Sequence, residues 1–174
     1  MDSVNEPFSN RTIALSELPR YETVAFLKPS PRYYYVVGLG TLSGMGVVGL
    51  IGGFSLYVTQ QTQYWKPALL AWAGLLAFLL VWNYIGFKRK GFAFREHDVM
   101  YRRGVLATIT TIIPYNRIQH VALKEGVFSR LLGLAQIGIF TAGGGSSDIE
   151  IPGIEKERAE EMKQLVLERI QRLQ

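Results

Sequence analysis

A chain of 174 residues with 48% hydrophobic residues, a net charge of +5 and no cysteine has room for one small water-exposed fold beside its apolar segments. The absence of cysteine removes disulfides, thiolate catalysis and cysteine-ligated metals, and it suits a reducing compartment. The basic balance reflects membrane topology better than nucleic-acid binding, because Lys88, Arg89 and Lys90 stand together beside an apolar run.

Residues 1–20 mix charges with Ser, Asn and Pro, the composition of a loosely ordered tail. Residues 1–32 lack the layout of a signal peptide and are expected to form a cytoplasmic N-terminal segment. Asn10-Arg11-Thr12 matches a glycosylation acceptor, a short pattern common by chance and here on the side assigned to the cytoplasm. Residues 21–28 (YETVAFLK) alternate as a short strand does, and the prolines of 28–32 break regular structure after it.

Residues 33–58 form a run of 26 without a charge, and residues 68–87 form another of 20. A helix rises 1.5 Å per residue, so about 20 apolar residues cross a hydrocarbon core of roughly 30 Å. Two helices apolar on every side cannot be wrapped by the remainder of so short a chain. The sequence therefore predicts a transmembrane hairpin over 33–87, with the polar bridge 59–66 between its spans. Tyr33, Tyr34 and Tyr35 at one end, and Tyr57, Tyr64 and Trp65 at the other, suit the two headgroup levels. Cations flank the cytoplasmic side: Lys28 and Arg32 upstream, Lys88, Arg89, Lys90 and Arg95 downstream, against Lys66 alone in the bridge. Both termini are thus expected in the cytoplasm of a cell whose inner, or plasma, membrane holds the hairpin.

The first span carries glycine on two faces. Gly40, Ser43 and Gly44 share one, while Gly38, Gly46, Gly49, Gly52 and Gly53 cluster on the other. Small residues let helix backbones approach closely in lipid. One face can serve the second span, which offers Ala71, Gly74 and Ala77, and the other is left for a partner. Asn83, near the cytoplasmic end, is expected to make a helix contact.

Beyond Gly91 short alternating runs cover 91–95, 98–103, 106–113, 118–124, 135–141 and 148–151, six strands of an antiparallel meander. A helical turn at 126–133 interrupts them. The chain ends in a predicted helix over 155–173, with Ala159, Met162, Val166, Ile170 and Leu173 as its apolar stripe.

Several pieces of this second half carry a resemblance: Pro114 with Arg117-Ile118-Gln119, Arg130-x-x-Gly133-Leu134, Thr141-Ala142-Gly143-Gly144, and Ile151-Pro152-Gly153-Ile154. Together they resemble the bacterial pleckstrin-homology-like (PH-like) membrane proteins, and the similarity runs back through the spans to Leu18-Pro19-Arg20-Tyr21-Glu22. The resemblance implies an α+β membrane protein: a two-helix hairpin, then a PH-like antiparallel sheet or partial barrel of about seven strands capped by a C-terminal α-helix over 88–174. It also implies a larger multi-span PH-domain membrane protein as partner in an envelope complex, with protection against antimicrobial peptides as the role, and no catalytic residues. Eukaryotic relatives of the fold bind inositides through a basic first hairpin; here that turn is the largely acidic Glu96-His97-Asp98.

No constellation for chemistry emerges. His97 and His120 have no ligand partner at metal spacing. The glycines at 143–145 lack the Lys-Ser/Thr of a phosphate loop, and Ser129, His120 and Asp148 lack a nucleophile elbow. No cofactor, metal, nucleic acid or small-molecule substrate is expected. The candidate residues are those of binding surfaces: Lys88, Arg89, Lys90, Arg95, Arg102 and Arg103 toward an anionic lipid bilayer, and Gly40, Ser43, Gly44, Gly49 and Gly53 toward neighbouring helices. An anchored interaction module is the first functional expectation, and a sensor of anionic headgroups is the second.

Overall fold

Two long helices lead the chain in the computed structural model, which describes residues 24–142 and 148–173. The tail 1–20, the start of the strand-like segment at 21–23, the glycine turn 143–147 and the Leu173 side chain lie outside the described residues. Helix α1 (Arg32–Val58) and helix α2 (Trp65–Arg89) are joined by a turn containing a 3₁₀ segment, Thr62–Tyr64. Each is long and apolar enough to cross a membrane. Pro67 falls in the first turn of α2, where a missing N–H costs nothing.

Side chains larger than expected hold the hairpin seam. Trp72 packs on Gly49, where an added Cβ would stand 3.1 Å from the indole nitrogen. The same nitrogen donates to the Met45 carbonyl at 2.9 Å. Asn83 Nδ2 donates to Thr41 Oγ1 at 2.8 Å. Thr41, Met45 and Gly49 follow one another at helical spacing, so one face of α1 meets α2. The expectation that Ala71, Gly74 and Ala77 meet α1 is corrected: all three are exposed on α2. A tryptophan filling the space a single glycine leaves gains more contact than two flat faces would, and it brings a donor.

The domain that follows contains two three-stranded antiparallel sheets. Strands β1 (Gly91–Phe94), β2 (Asp98–Arg103) and β3 (Ile109–Pro114) form the first, in that order. Strands β4 (Ile118–Lys124), β5 (Leu134–Thr141) and β6 (Ile149–Glu155) form the second, with the short helix α3 (Val127–Leu131) between β4 and β5. Their inward residues, among them Val99, Tyr101, Val121, Ile137, Ile139 and Ile151, make one buried cluster. Helix α4 (Lys156–Leu173) covers it with Ala159 and Val166 fully buried and Met162 and Ile170 packed alongside.

Strand β6 runs further than its sequence suggests. Pro152 would break a regular ladder, but the register between β5 and β6 shifts between Ala135 and Ile137, opposite Pro152 and Gly153. Such an irregularity needs no N–H from the proline. Tyr115, which follows β3 in a 3₁₀ turn (Tyr115–Arg117), is wholly buried and donates its hydroxyl to the Arg95 carbonyl at 2.8 Å. Among the described residues the segment ahead of α1 contributes a single bridge to the sheets. Leu27 and Phe92 exchange backbone hydrogen bonds of 2.8 and 2.9 Å, extending the first sheet by one residue at its β1 edge.

Candidate functional site: a basic cleft where the hairpin meets the domain

Both helices are fastened to the domain. Ahead of α1, the Ser30 N–H donates to the Gly153 carbonyl at 2.7 Å. Gly153 has φ +75°, and an added Cβ would come within 2.5 Å of Tyr33, so the start of α1 lies flat against β6. At the other side, Val105 in the β2–β3 loop packs on Gly86, and Arg89 donates to the Val105 carbonyl. That loop turns at Gly104, φ +127°, where a Cβ would meet the Ala107 oxygen at 1.8 Å; no other residue fits.

Two adjoining clefts open along this seam. The first, about 310 Å³, is walled by Phe26, Lys28, Lys88, Arg89, Lys90 and Arg102, with Gly91 and Thr108 completing it. The second, about 370 Å³, is lined by span residues such as Val37, Trp82 and Gly86, and by Lys90, Arg103 and Val105. Lys90 belongs to both.

Five cations therefore face one small space, and among the described residues no carboxylate lines either cleft. The ion pairs of the described residues lie elsewhere, at Arg95–Asp98, Glu96–His97, Lys124–Glu150 and Lys156–Glu125. Arg102 lies over the Phe26 ring, 4.0 Å from guanidinium carbon to ring centre, and its Nε is buried with no hydrogen-bond partner. The Lys90 amine stands 3.3 Å from the Tyr33 hydroxyl. Burial, with Arg103 close by, pushes it below the ordinary lysine value. Lys88 lies over the Tyr84 ring, 4.5 Å from its centre.

Of the cations singled out by sequence, Lys88, Arg89, Lys90 and Arg102 come together, and Arg103 joins the adjoining cleft. Arg95 is at the other end of β1, held by both carboxylate oxygens of Asp98, one at 2.6 Å. Sequence reasoning missed Phe26 and Thr108 and used Lys28 only for orientation. The available signal was the spacing of Phe26 and Lys28, two residues apart in an extended segment and hence on one face.

The glycine faces differ. Gly49 is filled by Trp72, whereas Gly40 and Gly44 have nothing within 4 Å of an added Cβ, and Gly53 is equally open. Ser43 satisfies its hydroxyl on the Leu39 carbonyl at 2.7 Å. In the domain, His120 stacks on Phe140 with ring centres 4.1 Å apart, and Thr141 holds the Asp148 carboxylate through its N–H and hydroxyl. Among the described residues no three His, Asp or Glu side chains converge as metal ligands.

Neither a curated protein nor a solved structure matches the chain. A family model described as bacterial PH domain matches residues 38–170, from within α1 through both sheets and almost to the end of α4. That match takes in most of α1, all of α2, both sheets and nearly all of α4, and the chain belongs to the bacterial PH domain family.

Proposed function

We propose that the chain is a membrane-anchored PH-like interaction module. Its hairpin crosses the inner membrane, both termini lie in the cytoplasm, and the domain rests against the cytoplasmic leaflet. The observation that carries this reading is the double fastening at Gly153–Tyr33 and Gly86–Val105, which sets the domain at one orientation to the spans. A tethered but freely swinging domain would need neither contact. Single cysteines test the topology: Gln61→Cys should react with an impermeant maleimide in intact cells and Gln164→Cys should not. The reverse pattern would remove the reading.

Within it, the module is a subunit beside a larger multi-span PH-domain membrane protein, and the complex protects the envelope against antimicrobial peptides. The role comes from the family resemblance, and the place for the partner is the Gly40–Ser43–Gly44 face, where an added Cβ at Gly40 or Gly44 meets nothing within 4 Å among the described residues. Gly44→Leu should leave insertion and abundance intact while releasing a co-purifying membrane protein. Gly49→Leu should instead disturb the hairpin, because Trp72 already occupies that space. Equal tolerance at both positions would leave the partner without a docking face.

A further inference from the structure

We propose that the paired clefts hold one anionic phospholipid, its phosphate among Lys28, Arg89, Lys90 and Arg102 and its glycerol and acyl portion along Val37, Trp82 and Val105. This rests on the membrane placement of the hairpin argued above and assigns a ligand class to the seam.

The cations argue for an anion. Lys28, Lys88, Arg89, Lys90 and Arg102 share a cleft of about 310 Å³, and no described carboxylate offsets them. Like charges gathered in a partly closed space repel unless a counter-charge enters. Arg102 supplies an independent sign. Its Nε is buried and unpartnered, which costs free energy unless something accepts from it. The Phe26 ring, 4.0 Å from the guanidinium carbon, holds the cation beside the cleft, and a guanidinium suits a ligand with several oxygens. Phosphate suits such a fork, and Lys28 and Lys90 add point charges.

The surroundings argue for a lipid over a soluble phosphate. Lys90 also lines the second cleft, which Val37, Trp82 and Phe87 of the helices wall on one side and Arg103, Val105 and Ile109 on the other. Leu106, at the tip of the β2–β3 loop that packs on α2, is 86% exposed. A leucine held bare beside the last turn of an apolar helix is matched to an acyl boundary, not to water. The first hairpin of the domain takes no part: Glu96-His97-Asp98 is at the far end of β1, and Asp98 already holds Arg95.

The test uses the full chain reconstituted in nanodiscs of phosphatidylcholine with phosphatidylglycerol, then released into detergent for native mass spectrometry. Recovery in the nanodisc fraction reports the anchor by itself, so a failed cleft is distinguishable from a failed anchor. The expected result is one phosphatidylglycerol retained per chain, preferred at least tenfold over phosphatidylcholine. Lys28→Gln with Arg102→Gln should weaken retention about thirtyfold, from two cations removed, while Arg172→Gln, exposed at the end of α4, should change nothing. The single Lys28→Gln variant, which leaves the Arg102–Phe26 stack intact, gives a smaller loss in the same direction. Undiminished retention by a folded double variant would overturn the proposal, as would an equal loss from Arg172→Gln. Displacement of the lipid by millimolar inorganic pyrophosphate, with pyrophosphate then bound at the cleft, would overturn the lipid and make the site one for soluble phosphates.

Discussion

In the domain Val99, Ile137, Ile139 and Ile151 are shut away completely, whereas Leu50 and Leu70 of the hairpin, no less apolar, stand 75% and 74% exposed. The same chemistry is thus placed on opposite terms in two halves of one chain. In the domain, removal of apolar surface from water holds the sheets together. Between helices in lipid that drive would be weak, and α1 and α2, both long and apolar enough to span, are joined by directional contacts: indole to carbonyl at Met45, amide to hydroxyl at Thr41, and a tryptophan seated on Gly49. The difference teaches that burial within the chain is a guide to stability in one half only.

The sharpest test of the contrast is Val166→Asp. It places an unpaired charge under α4, at a cost of several kcal/mol against a total stability of about 5 to 15 kcal/mol. The domain should lose protease resistance while the hairpin still inserts. Leu50→Asp is the mirror experiment. On a water-exposed face it would be nearly silent, but inside a span, eight residues from its end, it should cost up to about 3 kcal/mol and reduce insertion measured by membrane fractionation. Unchanged fractionation would dissolve the comparison, because α1 would then be facing water.

A third test concerns the domain core at high pH. Burial pushes the Tyr101 phenol up to about 12, while an unfolded chain releases that proton near pH 10. Between these values the unfolded state has lost the proton and the folded state keeps it. The stability present below about pH 10 therefore falls as the pH climbs through 12, by about 2 to 3 kcal/mol in all. Denaturant midpoints across this window should show a shallower alkaline slope in Tyr101→Phe. The smallest effect is expected at Asn83→Leu, which removes the hydrogen bond to Thr41. Hydrogen bonds between membrane helices contribute about 0.6 kcal/mol on average, so hairpin stability in detergent should fall only slightly.

Most of the architecture was legible in the sequence because each part repeats its own period. Alternation at 98–103 and 135–141 gives strands, the Ala159–Val166 spacing gives a helix with one buried face, and long uncharged runs give the spans. What escaped depended on distance or on shape. Glycines on two faces of α1 do not say which one Trp72 will fill. Pro152 marks the end of a strand unless a register shift on the neighbouring strand accommodates it, and that shift is written in no local pattern. The basic cleft joins Phe26 and Lys28 to Lys88–Lys90 and Arg102, residues that only the folded chain brings together. The alternation at 21–28 reads as a short strand, and among the described residues of that segment Leu27 alone pairs; Pro29 and Pro31 end it on the α1 side.

The short segment ahead of α1 has a consequence for how the protein is made. Leu27 seals the outer edge of β1, and three residues later Ser30 fastens to β6, the outer strand of the other sheet. Between Ser30 and its partner Gly153 in the chain lie the whole hairpin and the first five strands. A ribosome therefore delivers this strap first and its last docking strand nearly at the end, so the strap must wait through the synthesis of both spans. Closing so large a loop is slow and rewards only a finished chain. A nascent protein cut short before β6 would leave the beginning of α1 unmoored, because Ser30 would have no Gly153 carbonyl to hold it, an invitation to proteolysis. The Ser30 end of the strap is therefore set only after β6 has been made.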